Sequence, residues 1–245
     1  MARILAIDTS SAWCSVALSL GGEPPLLRHE PVSAGASQLL LPWIDELLLQ
    51  AKISLKDLDT IAIDVGPGAF TGVRLGVAAV QGLAIATQLP VIPVASLDAL
   101  ALQLVHTNQF KSADPKNFVI AIDARMDEVY WAQYQIQDAM PIRIGEIHLT
   151  KPEALELDGV DYVAGSALKE FGNRIFSNYK SMMSKTQLDA DLGVSALGVL
   201  AFAKTQWAAG HQIDVHLLEP LYIRNKVALT TLERLENLEL GSRNV

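Results

Sequence analysis

Two short stretches of this sequence hold residue types that bind phosphate. Asp8-Thr9-Ser10 closes an apolar run from Arg3 to Asp8 and sets a carboxylate beside two hydroxyls and the free N–H groups of a turn. Gly66-Pro67-Gly68-Ala69-Phe70-Thr71-Gly72-Val73-Arg74 joins a strand to a helix, where unpaired N–H groups and the helix dipole favour an anion and Arg74 adds a cation. The candidate nucleotide-binding set is therefore Asp8, Thr9, Ser10, Gly66 and Gly68, together with Asp123, which ends a second apolar run of the same kind.

Each stretch also has a plainer reading. Asp8 to Ser11 suits a polar turn closed by its own side chains, and Thr9 and Trp13 bring bulk where a phosphate needs glycine. The glycine string lacks the Gly-Lys-Ser/Thr ending of a phosphate loop and the spacing of a dinucleotide fingerprint, so its glycines suit a tight turn. The five histidines show no helical metal spacing, and no Gly-x-Ser-x-Gly elbow is present. Cys14 falls mid-strand, as a small hydrophobe rather than a nucleophile.

Of the elements that must position these residues, the first half reads βββαβαβα. Strands are expected at Arg3–Asp8, Trp13–Leu20, Leu26–Val32, Thr60–Val65 and Pro90–Val94, and helices at Ser37–Lys52 (with Pro42 inside), from the glycine string to Leu89, and after a Ser96 cap. Ile4-Leu5-Ala6-Ile7-Asp8 and Val119-Ile120-Ala121-Ile122-Asp123 share one pattern, and each leads through a turn into a second strand, which points to an internal duplication. The second copy is degenerate, with strands near 144–149 and 162–165 and helices at 168–176 and 195–209. A polar stretch around Lys111 divides an N-terminal lobe, 1–110, from a C-terminal lobe, 111–225, and 226–245 reads as a charged, mobile tail.

A net charge of −8, from 27 acidic and 19 basic residues, without a dense Lys/Arg run, argues against unaided nucleic-acid binding. One cysteine and a start without a signal-peptide pattern point to the cytoplasm. Leu75–Leu89 is apolar but short of the ~20 residues that span a bilayer, so a buried helix is expected and no membrane. That helix is apolar on every face, and Ser37–Lys52 carries more leucine than one sheet contact hides, so a second protein surface is the expected cover.

The blocks Ile4–Ser10, Gly66–Arg74, Ala121–Arg125 with Glu128-Val129-Tyr130, and Pro220–Arg224 closely resemble the bacterial TsaB family of tRNA threonylcarbamoyladenosine biosynthesis proteins, through nearly the whole chain. The resemblance implies a two-lobed actin-like (ribonuclease H-like) α/β fold of the actin, heat-shock chaperone and sugar kinase type. It also implies a non-catalytic scaffold beside the paralogous TsaD, which transfers threonylcarbamoyl to the adenosine beside the tRNA anticodon, with the ATP-hydrolysing TsaE as third subunit. TsaD carries metal-binding histidines in its first long helix, whereas Ala34–Gln38 here holds none. The two apolar helices would pair with those of TsaD, or with a second copy of the chain when it is alone. The expected contacts are Leu39, Leu40, Trp43, Leu47, Val73, Arg74, Val77, Val80 and Gln81. Cofactors are expected only as ATP or ADP at the joint interface, and tRNA only through the complex. The alternatives are a phosphotransferase or ATPase of the same superfold, or a peptidase acting on the partner, for which the sequence offers no constellation.

Overall fold

In the computed structural model, residues 2–22, 24–32, 35–178 and 187–224 are described; the tail expected from 226 lies outside them. Strands β1 (Ile4–Asp8), β2 (Trp13–Ser19) and β3 (Leu26–Pro31) form a meander. Helix α1 (Ala36–Ala51), β4 (Thr60–Gly66), α2 (Phe70–Thr87), β5 (Val91–Ala95) and α3 (Ser96–Leu104) complete the first unit. A short helix, α4 (Asn108–Ala113), follows where a polar break was expected; Thr107 caps it by accepting the Phe110 N–H. The second unit is β6 (Asn117–Asp123), β7 (Val129–Gln137), β8 (Met140–Thr150), β9 (Tyr162–Ala164), α5 (Ala167–Ile175), β10 (Leu188–Asp189) and α6 (Ala196–Ala208).

The duplication is explicit in the sheets. The first runs β3-β2-β1-β4-β5 and the second β8-β7-β6-β9-β10, the same order unit for unit. In both, the first strand of the unit pairs antiparallel with the second and parallel with the fourth. The second unit lacks a counterpart of α1 between β8 and β9 and is degenerate in that respect. This is the two-lobed actin-like α/β fold.

Alternation along β1 shows why the layers stack as they do. Leu5 and Ile7 point to one face with Leu40, Trp43, Ile44 and Leu47 of α1 and Val73, Val77 and Val80 of α2. Ile4 and Ala6 point to the other, against α3 and α6. Phe118, Ile120 and Ile122 of β6 meet that same central cluster, while Val119 and Ala121 face α5. The order is α1/α2, first sheet, α3/α6, second sheet, α5. Strands buried on both faces read as the continuous apolar runs seen in the sequence.

Candidate functional site

The two glycine- and hydroxyl-rich loops lie against each other, and their polar groups are used there. Asp8 ends β1 and accepts the Ser10 N–H on Oδ1 at 2.8 Å. Thr9 donates its hydroxyl to the Gly72 carbonyl at 2.7 Å, and Ser10 donates its own to Asp64 Oδ2 at 3.0 Å. The Ala69 N–H reaches the Ser10 carbonyl at 2.6 Å. A Cβ added at Gly68 would stand 2.3 Å from the Ser10 carbonyl oxygen, and one at Gly72 only 1.9 Å from that of Thr9. Gly68 and Gly72 thus let the N-terminus of α2 close onto the β1–β2 turn. Gly66 holds φ at +100° and donates its N–H to Asp64 Oδ1 at 2.7 Å.

A cleft of about 890 Å³ runs between the two units, lined among others by Ser11, Phe70, Arg74, Asp123, Lys169 and Tyr222. Arg74 lays its guanidinium over the Phe70 ring, 3.2 Å from the centroid, and 5.0 Å from that of Tyr222. Asp123 repeats the Asp8 turn: its Oδ1 accepts the Arg125 N–H at 2.7 Å, and its own N–H goes to Ser166 Oγ. Arg125, Met126 and Asp127 then take positive φ in succession. Arg224 holds this turn by donating to the Ala124 and Arg125 carbonyls and pairing with Glu128, and Arg174 by pairing with Asp127.

Helices α1 and α2 divide into a buried and an exposed side. Leu40, Trp43, Leu47, Val73, Val77 and Val80 are buried against the first sheet, and Leu39 packs partly on the same cluster. Their side chains are core, which corrects the expectation that they meet a partner: the 3.6-residue period turns them inward. Gln81 is half-buried and donates to the Leu218 carbonyl at 2.9 Å. Outward lie Leu41 and Leu49 of α1, and on α2 half-buried Leu75 followed by Ala78, Gly82, Ile85 and Ala86. Leu49 is 79% exposed and Ile85 56%. α2 is the one described helix long and apolar enough to cross a membrane by length and composition.

The model of the family described as TsaD: tRNA N6-adenosine threonylcarbamoyltransferase matches residues 30–235. Proteins named tRNA threonylcarbamoyladenosine biosynthesis protein TsaB are similar throughout: that of Haemophilus influenzae is 32% identical over 91% of this chain and 94% of its own, and that of Escherichia coli 34% identical over 92% and 96%. The chain belongs to the TsaB family. YeaZ from Pseudomonas aeruginosa, a solved structure, superposes with a TM-score of 0.77 at 35% identity over 91% of this chain and all of its own.

Against this TsaB-family frame, the structure brings Asp8, Thr9, Ser10, Gly66 and Gly68 together at one point and leaves Asp123 in the opposite unit, across the cleft. Sequence reasoning missed Asp64 and Ser96. Ser96 was expected to cap α3; it is instead the first helical residue and donates to Asp64 Oδ1 at 2.6 Å. Asp64 carries a partial signal, since an acid inside an otherwise apolar strand needs donors, but which groups supply them is not written in the local sequence. Cys14 is fully buried and its thiol is pushed up to about 11 by burial, then by Asp8.

Proposed function

We propose that this chain is a non-catalytic subunit of the machinery that forms threonylcarbamoyladenosine in tRNA, working beside a TsaD-type transferase and a TsaE-type ATPase in the cytoplasm. The observation that carries the reading is the outward seam of α2. Leu75, Ala78, Gly82 and Ile85 recur at intervals of three and four, which is the spacing of a packed helix pair, and alanine and glycine let a second helix approach closely. Leu41 and Leu49 extend the apolar surface on α1. A paralogue with the same two helices is the partner that fits such a seam, and a second copy of this chain fits it when the paralogue is absent. The match to the TsaD family model supports a paralogous relation.

The non-catalytic part of the reading is supported by the closed loops: the hydroxyls of Thr9 and Ser10 and the N–H groups of Ser10, Gly66 and Ala69 already have partners inside the chain. A phosphate would have to displace them. ATP or ADP would bind only where the partner supplies donors, and tRNA would be reached through the complex. The test is co-purification with the TsaD-type paralogue. Ala78→Glu and Ile85→Asp should abolish it with circular dichroism unchanged; retention of the partner by both variants rejects the seam as the interface.

A further inference from the structure

Beneath the closed loops lies a pair of acids that the reading above does not use. Asp8 ends β1 and Asp64 lies two residues before the end of the adjacent parallel strand β4, and both are buried, at 0% and 1% exposure. Asp64 is well served: Oδ1 accepts the Gly66 N–H and the Ser96 hydroxyl, and Oδ2 accepts the Ser10 hydroxyl. Asp8 accepts only on Oδ1, and its Oδ2 is buried without a donor. The register of β1 on β4 sets the two carboxyl groups side by side, one residue beyond the Ile7–Ile63 pair, and Ser10 bonds to both, through its N–H to Asp8 and its hydroxyl to Asp64. Two carboxylate oxygens facing each other without water repel strongly, whereas one proton between them gives the orphaned oxygen its partner.

We propose that Asp8 and Asp64 share one proton, so that the pair carries a single negative charge and fastens the β1–β2 turn to the β4–α2 loop and to the start of α3. Among the described residues, the charged groups whose fields bear on the pair are few. Each acid acts on the other; His29 on β3 acts on Asp8; and Asp8 acts on the thiol of Cys14 on β2. On α3, Asp98 turns away to Tyr134 and Arg143, and Arg74 on α2 is taken up by the Phe70 ring. Burial raises both acids, and the Asp8 charge raises Asp64 further. An unfolded aspartate titrates near 3.8. The stability contributed by the shared proton is therefore complete below that value and is lost as pH rises through the higher value of the folded pair.

Asp64→Asn imitates the protonated state: its carbonyl oxygen keeps the Gly66 and Ser96 bonds, and its amide, in the place of Oδ2, donates to Asp8 and turns the Ser10 hydroxyl from donor to acceptor. Urea unfolding of the full chain and of this variant between pH 5 and 8 tests the proposal. The folding constant of the wild type, divided by that of the variant, should fall about tenfold per pH unit while the folded pair keeps its proton. Infrared difference spectra should show the carbonyl stretch of a protonated carboxylic acid at pH 7 in the wild type only. A pH-independent ratio, or no such band in the wild type, overturns the proposal. So does a band that disappears when Mg²⁺ or Ca²⁺ is added and the protein is stabilised, which would make the pair a cation site. If Asp64→Asn does not fold, Asp8→Asn serves in its place, read by the same stability ratio and by the same wild-type-minus-variant band, which removes the contribution of buried Asp98.

Discussion

Replacing glycine by alanine at two points of the same helix should have opposite effects. At Gly72 the new methyl would stand 1.9 Å from the Thr9 carbonyl oxygen, against a limit of 3.0 Å that real Cβ contacts respect, so α2 and the β1–β2 turn must part by about 1 Å. Both elements are anchored, the turn by Asp8 and Asp64 and the helix by Val73 and Val77 in the core. Because the atom met is backbone, the overpacking cost lies at the upper end of its usual range, about 2–3 kcal/mol, while alanine regains about 1 kcal/mol of helix propensity, so a net loss of about 1–2 kcal/mol is expected. At Gly82 nothing lies within 4 Å of the added methyl, and only the propensity gain of about 1 kcal/mol remains. With a slope of about 2–3 kcal/mol per molar urea, the midpoints of Gly72→Ala and Gly82→Ala should differ by about 1 M. A Gly72→Ala variant as stable as the wild type would refute the view that these glycines serve close packing and not phosphate.

Further outcomes follow from the same contacts. Val77→Asp places an unpaired charge among buried side chains and should lose on the order of 4 kcal/mol or more, seen as loss of the folded circular dichroism signal. Tyr134→Phe removes the 2.8 Å bond to buried Asp98 and should lose about 1–3 kcal/mol in urea unfolding. Asp127 is held down to about 2, first by its hydrogen bonds from Arg174, so its contribution is present above 3.8 and lost as pH falls through about 2. Arg174→Ala should move the Asp127 carboxyl titration, followed by NMR, back toward 3.8. Calorimetry of the isolated chain with ATP and magnesium should record no heat of binding; a saturable isotherm would reopen the phosphate loops.

Much of the fold was legible because its strands are buried on both faces and its repeat is written in Ile-Asp endings. The βββαβαβα order follows from runs such as Thr60–Val65, which read as strands whatever covers them. What periodicity did not resolve was which side of an apolar helix faces inward. In α2, Val77 and Ala78 are both apolar neighbours, yet one is core and the other surface, and only the position of the sheet decides between them. The polar site was half legible. Asp8 and Ser10 stood out by type, but Asp64 and Ser96 join them through strand pairing across more than fifty residues of sequence, and no local pattern shows that. α4 was read as a break because Ser112, Asp114 and Pro115 dominate its end, while the Thr107 cap and the buried Phe110 that hold it are single residues.

The claim on which the functional reading turns is that the outward face of α2 binds a paralogous subunit. Its most direct test is the native mass of this chain mixed with the TsaD-type paralogue, for the wild type and for Ala78→Glu/Ile85→Asp. The account predicts a one-to-one heterodimer for the wild type and two separate species for the double variant, with unchanged thermal unfolding. A heterodimer that forms equally well with the double variant would contradict it.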